Sequence, residues 1–263
     1  MKKITIRTDA GYDIVLTHFE PETEGDNVVL IVPANGVKQS FYSGFAVYLC
    51  NQNIAAFTFD YGGIGESKNG DLRSFDTSII NWGKNDLEAV LSHIKTVYSD
   101  KKLKIIAHSM GGQIIGLAPS SVNADKFIFT AVPSGYWRFW KGFERVKMLN
   151  AWYVLFPVLT NIFGYMPTSR VSSMEDLPKS VARQWRKWCL NPNYMFDYLD
   201  DLETNYERHT CRLVSYSIEN DTFAPKEAVD WLTEKYVNTQ SERIHLRPDD
   251  FGVDKIGHFG FFK

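Results

Sequence analysis

The chain has 263 residues and a formal net charge of −2, a length that suits one large domain with room for an insertion. Its 29 lysine and arginine residues are balanced by 31 acidic residues, and the lack of a basic surplus argues against nucleic acid as a partner. Aromatic residues make up 14% of the sequence, which is the one unusual feature of its composition.

The sequence gives few indications of where in the cell the protein lies. Residues 1–16 alternate charged and apolar side chains without the apolar core of a signal peptide, which predicts a cytoplasmic protein. Cys50, Cys189 and Cys211 are far apart and make no metal-ligand spacing with the six histidines. We therefore expect three reduced thiols and no metal or cofactor.

Short apolar runs alternate with segments of helical spacing along most of the chain. Runs that are apolar on both faces are typical of parallel strands covered by helices on both sides of a sheet. The pattern therefore predicts an α/β fold with a mostly parallel, eight-stranded sheet. The predicted strands are Ile4–Ile6, Ile14–Phe19, Val28–Val32, Ala55–Phe59, Leu103–Ala107, Phe127–Val132, Arg212–Ile218 and Ile244–Leu246, and helical spacing covers Phe41–Leu49, Leu87–Val97 and Lys226–Tyr236.

The alternation stops between Gly135 and Glu207, where the sequence is helical in pattern, rich in aromatic residues and free of strand signals. This predicts a helical insertion after the sixth strand. Of the 38 aromatic residues, 16 fall within residues 135–206. Helices that pack on a sheet need large apolar anchors, but an excess of this size also suits an apolar substrate pocket.

Residues 148–169 carry no charge and are numerous enough to span a bilayer as a helix. Prolines, a glycine, asparagines and a threonine are spread through them, which argues against a transmembrane helix. Instead of a transmembrane helix, we expect an apolar lid or a surface that makes transient contact with a membrane.

Ser109 lies at the end of an apolar run, in the sequence AHSMGG of residues 107–112, and helix-compatible residues follow it. A serine on such a sharp strand-to-helix turn needs very small neighbours two positions before and after it, as Ala107 and Gly111 are. The pattern predicts a nucleophile elbow, in which the N–H of Met110 points at the group that Ser109 attacks and can donate to its oxygen. A glycine-rich helix start capped by a serine would look the same in sequence.

A serine nucleophile requires a histidine base and a carboxylate that orients it. His258 is the predicted base, because it lies in a glycine-flanked loop after the last predicted strand. Asp221 is the predicted carboxylate, because it ends the preceding strand and lies before Pro225, which can start the next helix. The competing carboxylates are Glu219, Asp200 and Asp250, and structural roles are expected for the other five histidines.

The second donor of an oxyanion hole should come from the loop after the third strand. The sequence VPANGV of residues 32–37 indicates a sharp turn there, and the N–H of Val37, just after Gly36, is the predicted donor. An ordinary strand-to-helix turn gives the same signal.

Three motifs together resemble the α/β-hydrolase superfamily in order and spacing. The elbow is similar to the family's G-H-S-M-G-G, residues 60–67 (DYGGIGES) are similar to its D-x-R-G-x-G-x-S turn, and Asp221 and His258 match its late acid and base. The resemblance covers a core of residues 1–134 and 208–263, and it implies the α/β-hydrolase fold with residues 135–207 as the variable cap, or lid. More narrowly, the chain is similar to a bacterial group of predicted hydrolases without a firm activity.

The chain also departs from the superfamily pattern. Ala107 replaces the usual first glycine of the elbow, Tyr61 replaces an arginine, and Asn35 stands where many members have histidine. Five residues follow His258, so a terminal helix of more than one turn is not expected. Relatives with haloalkane or epoxide chemistry use an aspartate nucleophile, and Ser109 argues against those reactions.

The resemblance and the motifs imply a serine hydrolase of the carboxylesterase or lipase type, acting on a small-molecule ester or thioester with an apolar acyl group. Ser109, His258 and Asp221 would act through an acyl-enzyme without a cofactor or metal. An acyltransferase, or an amidase or peptidase, would use the same triad, and a ligand-binding scaffold is the non-enzymatic alternative. The sequence does not indicate an oligomeric state.

Overall fold

The computed structural model describes all 263 residues and contains one eight-stranded sheet. The strands are β1 (Lys2–Arg7), β2 (Asp13–Phe19), β3 (Asn27–Val32), β4 (Ala55–Phe59), β5 (Lys102–His108), β6 (Lys126–Thr130), β7 (Arg212–Ile218) and β8 (Gln240–Leu246). Their order in the sheet is β1-β2-β4-β3-β5-β6-β7-β8. Because β2 alone runs antiparallel to its neighbours and all other pairs are parallel, the predicted fold class is confirmed.

The central strands are buried on both faces, as their sequences predict. Along β3, Val28, Leu30 and Val32 belong to the larger hydrophobic core on one face, and Val29 and Ile31 belong to the smaller core on the other. Every residue of β4 is buried. A layer of helices therefore covers each side of the sheet.

Several strand boundaries differ from the sequence prediction, and two of the differences have a clear physical cause. β8 begins four residues earlier than predicted, because the polar residues Gln240–Arg243 pair with β7 at the edge of the sheet. An exposed edge strand carries no apolar run that would reveal it. β6 ends at Thr130 rather than at Val132, because the next residue, Ala131, has a positive φ of 50°.

Eight α-helical segments accompany the sheet, and two π-helical turns connect pairs of them. The turn Trp82–Leu87 joins α2 to α3, and the turn Ala151–Leu155 joins α5 to α6. The predicted helices are found, with the last one three residues shorter than expected. The segments are α1 (Ser43–Asn51), α2 (Ile79–Asn81), α3 (Glu88–Val97), α4 (Met110–Ile114), α5 (Gly142–Asn150), α6 (Phe156–Phe163), α7 (Lys179–Cys189) and α8 (Lys226–Thr233).

The chain between β6 and β7 contains helices and no strand, apart from an isolated bridge between Met166 and Leu177. α5, its π-helical turn and α6 form one continuous helix, Gly142–Phe163, which is long and apolar enough to cross a membrane by length and composition alone. Trp152 and Trp188 are buried in the same core as the helices on one face of the sheet. This part of the chain therefore packs directly on the α/β layers.

The segment after His258 contains no α-helix. It forms one turn of 3-10 helix, Gly260–Phe262. The ring of Phe262 packs on those of Tyr42 and Phe45, with centroids 4.9 and 5.5 Å apart. These contacts anchor the loop that carries His258 beside α1.

Candidate active site

Ser109 lies between the end of β5 and the start of α4, on the predicted strand-to-helix turn. Its backbone angles, φ 49° and ψ −119°, fall in a region that residues with a side chain rarely adopt. Close packing surrounds this turn, because a Cβ on Gly111 would lie 2.5 Å from the carbonyl oxygen of Val32. Only glycine fits there, which explains its place two residues after the serine.

Asp221 and His258 are brought together from loops that follow different strands. One oxygen of Asp221, Oδ1, accepts hydrogen bonds from the backbone N–H groups of Phe223 and Ala224 at 2.8 and 3.1 Å. The other, Oδ2, accepts a hydrogen bond from Nδ1 of His258 at 2.8 Å. Since a carboxylate only accepts, this contact assigns a proton to Nδ1 and leaves Nε2 of His258 as the free nitrogen. None of the competing carboxylates contacts this histidine.

Ser109 and His258 line the same cavity, which has a volume of about 510 Å³. No hydrogen bond joins the Ser109 hydroxyl to the imidazole in this structure, and contacts of this kind often tighten only when substrate binds. A larger and more open groove of about 930 Å³ touches Asp221 and His258 but not the serine. The smaller cavity is therefore the candidate active site, because it holds both reacting side chains.

The two predicted oxyanion donors differ in their surroundings. Met110 is the first residue of α4, so its N–H has no partner within the helix. The N–H of Val37 donates to the carbonyl oxygen of Ala34 at 3.2 Å and closes a turn, whereas those of Asn35 and Gly36 make no hydrogen bond. Val37 would have to give up this long bond to serve substrate, and its role stays a prediction.

The side chain of Asn35 is a feature that the sequence did not reveal. It lines the cavity and is only 5% exposed, yet neither its oxygen nor its nitrogen has a hydrogen-bond partner. By contrast, Gln113 in the same wall donates to Pro133 at 2.7 Å and accepts from the Tyr194 hydroxyl at 2.8 Å. Asn35 is therefore a residue of the cavity wall whose buried amide makes no hydrogen bond.

His108, which the sequence analysis expected to be structural, connects three parts of the site. Its Nε2 donates to the carbonyl oxygen of His258 at 2.9 Å, which leaves Nδ1 to accept a hydrogen bond from the Tyr42 hydroxyl at 2.9 Å. The same hydroxyl accepts from the N–H of Ala34 at 3.0 Å. Burial lowers the pKa of His108 well below its usual value, because the charged ring would be desolvated.

The turn at residues 60–67 holds the loop that follows β3. The carboxylate of Asp60 is buried and accepts hydrogen bonds from the backbone N–H of Gln39 at 2.7 Å and of Glu66 at 2.9 Å. Burial raises the pKa of Asp60, and these two donors act in the opposite direction. A Cβ on Gly65 would collide with this carboxylate, which explains the glycine in the motif.

The cavity wall is mostly apolar and contains no Asp, Glu, Lys or Arg. Four of the 16 aromatic residues in 135–206 line it, while others, such as Trp188 and Tyr194, are buried in the core. No group of three or more His, Cys, Asp and Glu side chains is placed to hold a metal ion, and a cofactor-free reaction stays a prediction. The largest apolar side chains of the wall belong to Met110, Trp140, Met148, Trp152, Phe156, Met174, Trp185, Phe223 and Phe259.

A comparison with protein families identifies the family of this chain. The family model for serine aminopeptidase, S33, matches residues 23–183, which is more than half of the chain. The chain belongs to this family of α/β hydrolases. The matched residues include the loop after β3, the 60–67 turn and Ser109, and they end before Asp221 and His258. No curated protein matches the sequence.

Solved structures of hydrolases share the fold at low sequence identity. A soluble variant of monoglyceride lipase from Saccharomyces cerevisiae has a TM-score of 0.63 at 13% identity, over 92% of this chain and 85% of that one. An esterase from Pyrococcus furiosus has a TM-score of 0.60 at 13% identity, over 100% and 84% of the two chains. A thermophilic esterase from Thermogutta terrifontis has a TM-score of 0.58 at 16% identity, over 100% and 93%. These likenesses confirm the α/β-hydrolase fold.

Proposed function

We propose that this hydrolase cleaves a carboxylic ester or thioester through an acyl-enzyme, with Ser109, His258 and Asp221 as its catalytic triad. The observation that carries the proposal is the 2.8 Å hydrogen bond between Asp221 and His258 beside an elbow serine in one cavity. A nucleophile, a base and a group that orients the base are the parts that acyl transfer requires. We assign the oxyanion donors to the N–H groups of Met110 and Val37.

In the proposed reaction, Oγ of Ser109 attacks the carbonyl carbon while Nε2 of His258 takes the hydroxyl proton. Asp221 holds the ring and stabilises the imidazolium, and the two backbone N–H groups stabilise the oxyanion. The imidazolium then protonates the leaving alcohol or thiol as its bond to the acyl carbon breaks. Water, deprotonated by His258, attacks the acyl-enzyme, and the carboxylic acid leaves as the proton returns to Ser109.

The lining of the cavity supports an uncharged, apolar acyl group. An aminopeptidase binds the cationic amino terminus of its substrate, and a buried charge needs a partner of opposite charge. No acidic side chain lines this cavity, although the family model carries the name of an aminopeptidase. The unpartnered donor and acceptor of Asn35, in the wall of the cavity, suit a polar group of the substrate.

We also propose that residues 135–207 act as a cap that selects substrate, over a catalytic core of residues 1–134 and 208–263. The support is that Met148, Trp152, Phe156 and Trp185, which all come from this part of the chain, line the cavity beside Ser109. We place the reaction in the cytoplasm. The three cysteines are free, which suits a reducing compartment.

Labelling with a fluorophosphonate probe tests the proposed nucleophile. We expect the probe to label the wild-type protein once, and Ser109→Ala to abolish labelling and to lower the turnover of an activated short-chain ester by about 10⁴-fold or more. The matched control is Ser99→Ala in an exposed turn, which should change neither measurement. Retention of most turnover by Ser109→Ala would rule out this mechanism.

A second measurement separates the proposed esterase from the peptidase that the family name suggests. We expect the ester of an apolar acid to be cleaved and the matched amide, with or without a free amino terminus, to resist cleavage. Faster cleavage of the free amino-terminal amide would favour the peptidase. Transfer of the acyl group to an added alcohol or thiol in preference to water would instead identify an acyltransferase.

A further inference from the structure

One face of the helix Gly142–Phe163 is largely exposed to solvent. Six of its large apolar side chains are about half exposed or more, up to 71% for Phe143 and 69% for Ile162. They recur at spacings that put them on one side of a helix, which we call the outer face. A contiguous exposed apolar surface marks an interaction site. The outer face consists of Phe143, Val146, Tyr153, Val154, Val158 and Ile162.

The opposite side of the same helix forms part of the candidate active site. Met148, Ala151, Trp152 and Phe156 line the cavity that contains Ser109. Only the thickness of one helix therefore separates the outer face from the cavity.

The segment of the chain that contains the outer face is basic. Residues 138–187 contain nine lysine and arginine residues and three acidic ones, whereas the rest of the chain has 20 basic and 28 acidic residues. Two of the nine, Lys141 and Lys147, form ion pairs with carboxylates. The other seven have no carboxylate within ion-pair distance: Arg138, Arg145, Arg170, Lys179, Arg183, Arg186 and Lys187.

Three cations of the basic segment, one of them the ion-paired Lys147, lie over aromatic rings of the helix. The ammonium of Lys147 is 4.9 Å from the ring centre of Phe143, and the guanidinium of Arg170 is 4.8 Å from that of Phe163. Apolar and aromatic side chains beside long cationic ones are typical of helices that lie in the interface of a bilayer, where the charge reaches the headgroups.

We propose that the outer face binds the surface of a membrane that contains anionic lipids, with the helix lying in the headgroup region and not crossing the bilayer. Charge complementarity decides the partner, because each unpaired cation near an anionic surface strengthens binding by about fivefold. Lys147 and Asn150 are among the exposed residues of the helix. Such polar side chains suit a helix in the headgroup region better than one in the hydrocarbon core of the bilayer. The buried side chains of Trp152 and Phe156 keep the other side of the helix in the protein core.

The outer face also indicates which esters the protein would cleave, an inference that rests on the proposed function. An ester whose acyl chain partitions into the bilayer would be presented to the cavity from the membrane side, because the helix that would lie on the membrane also walls the cavity. The substrate would then be a lipid ester with a long apolar acyl chain.

Vesicle flotation tests the surface without using the reaction. We expect the protein to float with vesicles of equal parts phosphatidylcholine and phosphatidylglycerol, and to float far less with phosphatidylcholine alone. The double variant Val158→Glu with Ile162→Glu should weaken binding to the mixed vesicles by about tenfold or more. The control double variant, Val97→Glu with Val237→Glu, changes exposed valines elsewhere and should bind normally. Circular dichroism checks that each variant is folded.

The charge contribution has its own pair of variants. The double variant Arg170→Gln with Arg183→Gln should weaken binding to mixed vesicles by about fivefold for each charge removed. It should not change the weak binding to vesicles of phosphatidylcholine alone. Lys68→Gln with Lys95→Gln is the control, because these exposed lysines also lack ion pairs and lie outside the basic segment. Ser109→Ala carried through the same flotation separates the two proposals, since loss of hydrolysis must leave membrane binding unchanged.

Three results would overturn the proposal. One is a failure to float with mixed vesicles, or equal flotation of the wild type and the outer-face variant. Another is retention in the membrane after an alkaline carbonate wash, which would identify a spanning helix. The third is a dimer in sedimentation velocity that Val158→Glu with Ile162→Glu dissociates, without vesicle binding, because a second copy would then be what covers the outer face.

Discussion

At the residue scale, Asn35 lies in the wall of the cavity that contains Ser109, and its unpartnered amide is expected to lower the stability of the fold. Burying an unpartnered amide costs about 1–3 kcal/mol of folding free energy. We therefore expect Asn35→Ala to leave the free energy of unfolding unchanged or to raise it by about 1 kcal/mol. The same change should lower kcat/KM for a good ester by about fivefold to tenfold, because one hydrogen bond to substrate is lost. Urea denaturation and steady-state kinetics measure the two effects.

Asn205 provides a matched control, because it is buried but has partners. Its amide accepts a hydrogen bond from Arg208 at 2.8 Å and donates towards the carbonyl oxygens of Gly116 and Ala118, both at 3.4 Å. Asn205→Ala should lower the free energy of unfolding by about 1–3 kcal/mol and leave kcat/KM unchanged. If Asn35→Ala destabilises the protein in the same way, Asn35 is a structural residue.

The sequence predicted the parts of the site that local sterics determine, and missed those that depend on distant neighbours. A serine with a tiny residue two positions on is a local requirement, and the contact of Gly111 with Val32 explains it. The lack of a partner for the buried amide of Asn35 depends on where distant residues lie, which no sequence pattern encodes. The bond from Val37 to Ala34 is local, and the sequence indicated the turn without showing that the turn engages the N–H of Val37. The position of Asp221 at the end of a predicted strand and before Pro225 proposed it as the partner of His258, and the structure joins the two by a hydrogen bond.

At the scale of elements, the π-helical turn Trp82–Leu87 places an acid beneath the 60–67 turn. Asp86 accepts hydrogen bonds from the Tyr12 hydroxyl at 2.7 Å and from the N–H of Gly62 at 2.8 Å. Burial raises its pKa from the usual 3.8 to about 7. Because the pKa is raised in the folded state, the protonated acid contributes stability that is complete below about pH 4 and is lost as the pH rises through about 7.

The variant Asp86→Asn should remove this loss, because asparagine keeps the acceptor for Gly62 and donates to Tyr12 without a charge. We expect the free energy of unfolding of the wild type to fall relative to the variant between pH 4 and pH 8, measured by urea denaturation. The exposed Asp254→Asn is the control and should follow the wild type. Parallel curves for wild type and Asp86→Asn would mean that this acid is ionised without penalty in the fold.

Element type was predictable from periodicity, whereas some boundaries were not. The apolar runs located all eight strands, because central strands are buried on both faces. The start of β8 at Gln240 escaped detection, since its first residues are polar and exposed. The π-helical turns have the composition of an α-helix and leave no separate signal.

At the scale of the whole molecule, the candidate site depends on one buried histidine that joins distant parts of the chain. His108 connects the carbonyl of His258, 150 positions later, to Tyr42, and through Tyr42 to the N–H of Ala34. The loop after β3, the elbow and the loop of the base therefore share one chain of hydrogen bonds. Moving any of them by about 1 Å would be expected to lower activity by up to a hundredfold.

The neutral form of His108 is the one that this chain of hydrogen bonds requires, because Nδ1 must accept. Its pKa in the folded state is depressed by burial, so its contribution to stability is full above about pH 6.5 and is lost as the pH falls. His108→Gln should therefore flatten the fall in the free energy of unfolding between pH 7 and pH 5, a fall of at most about 1.4 kcal/mol per pH unit for one group. The same variant should lower kcat/KM at pH 8 by roughly tenfold to a hundredfold, because the three loops lose their common partner.

His209→Gln is the control that distinguishes an effect on the candidate site from the effect of replacing any buried histidine. His209 is also buried, its pKa is lowered to about 4 by burial, and its Nε2 contacts the Ser121 hydroxyl at 2.9 Å, away from the cavity. His209→Gln should change the pH dependence of stability in the same direction as His108→Gln while leaving kcat/KM at pH 8 unchanged. Equal kinetic losses in both variants would mean that His108 acts through general stability, whereas a loss confined to His108→Gln would support its positioning of the loops around Ser109.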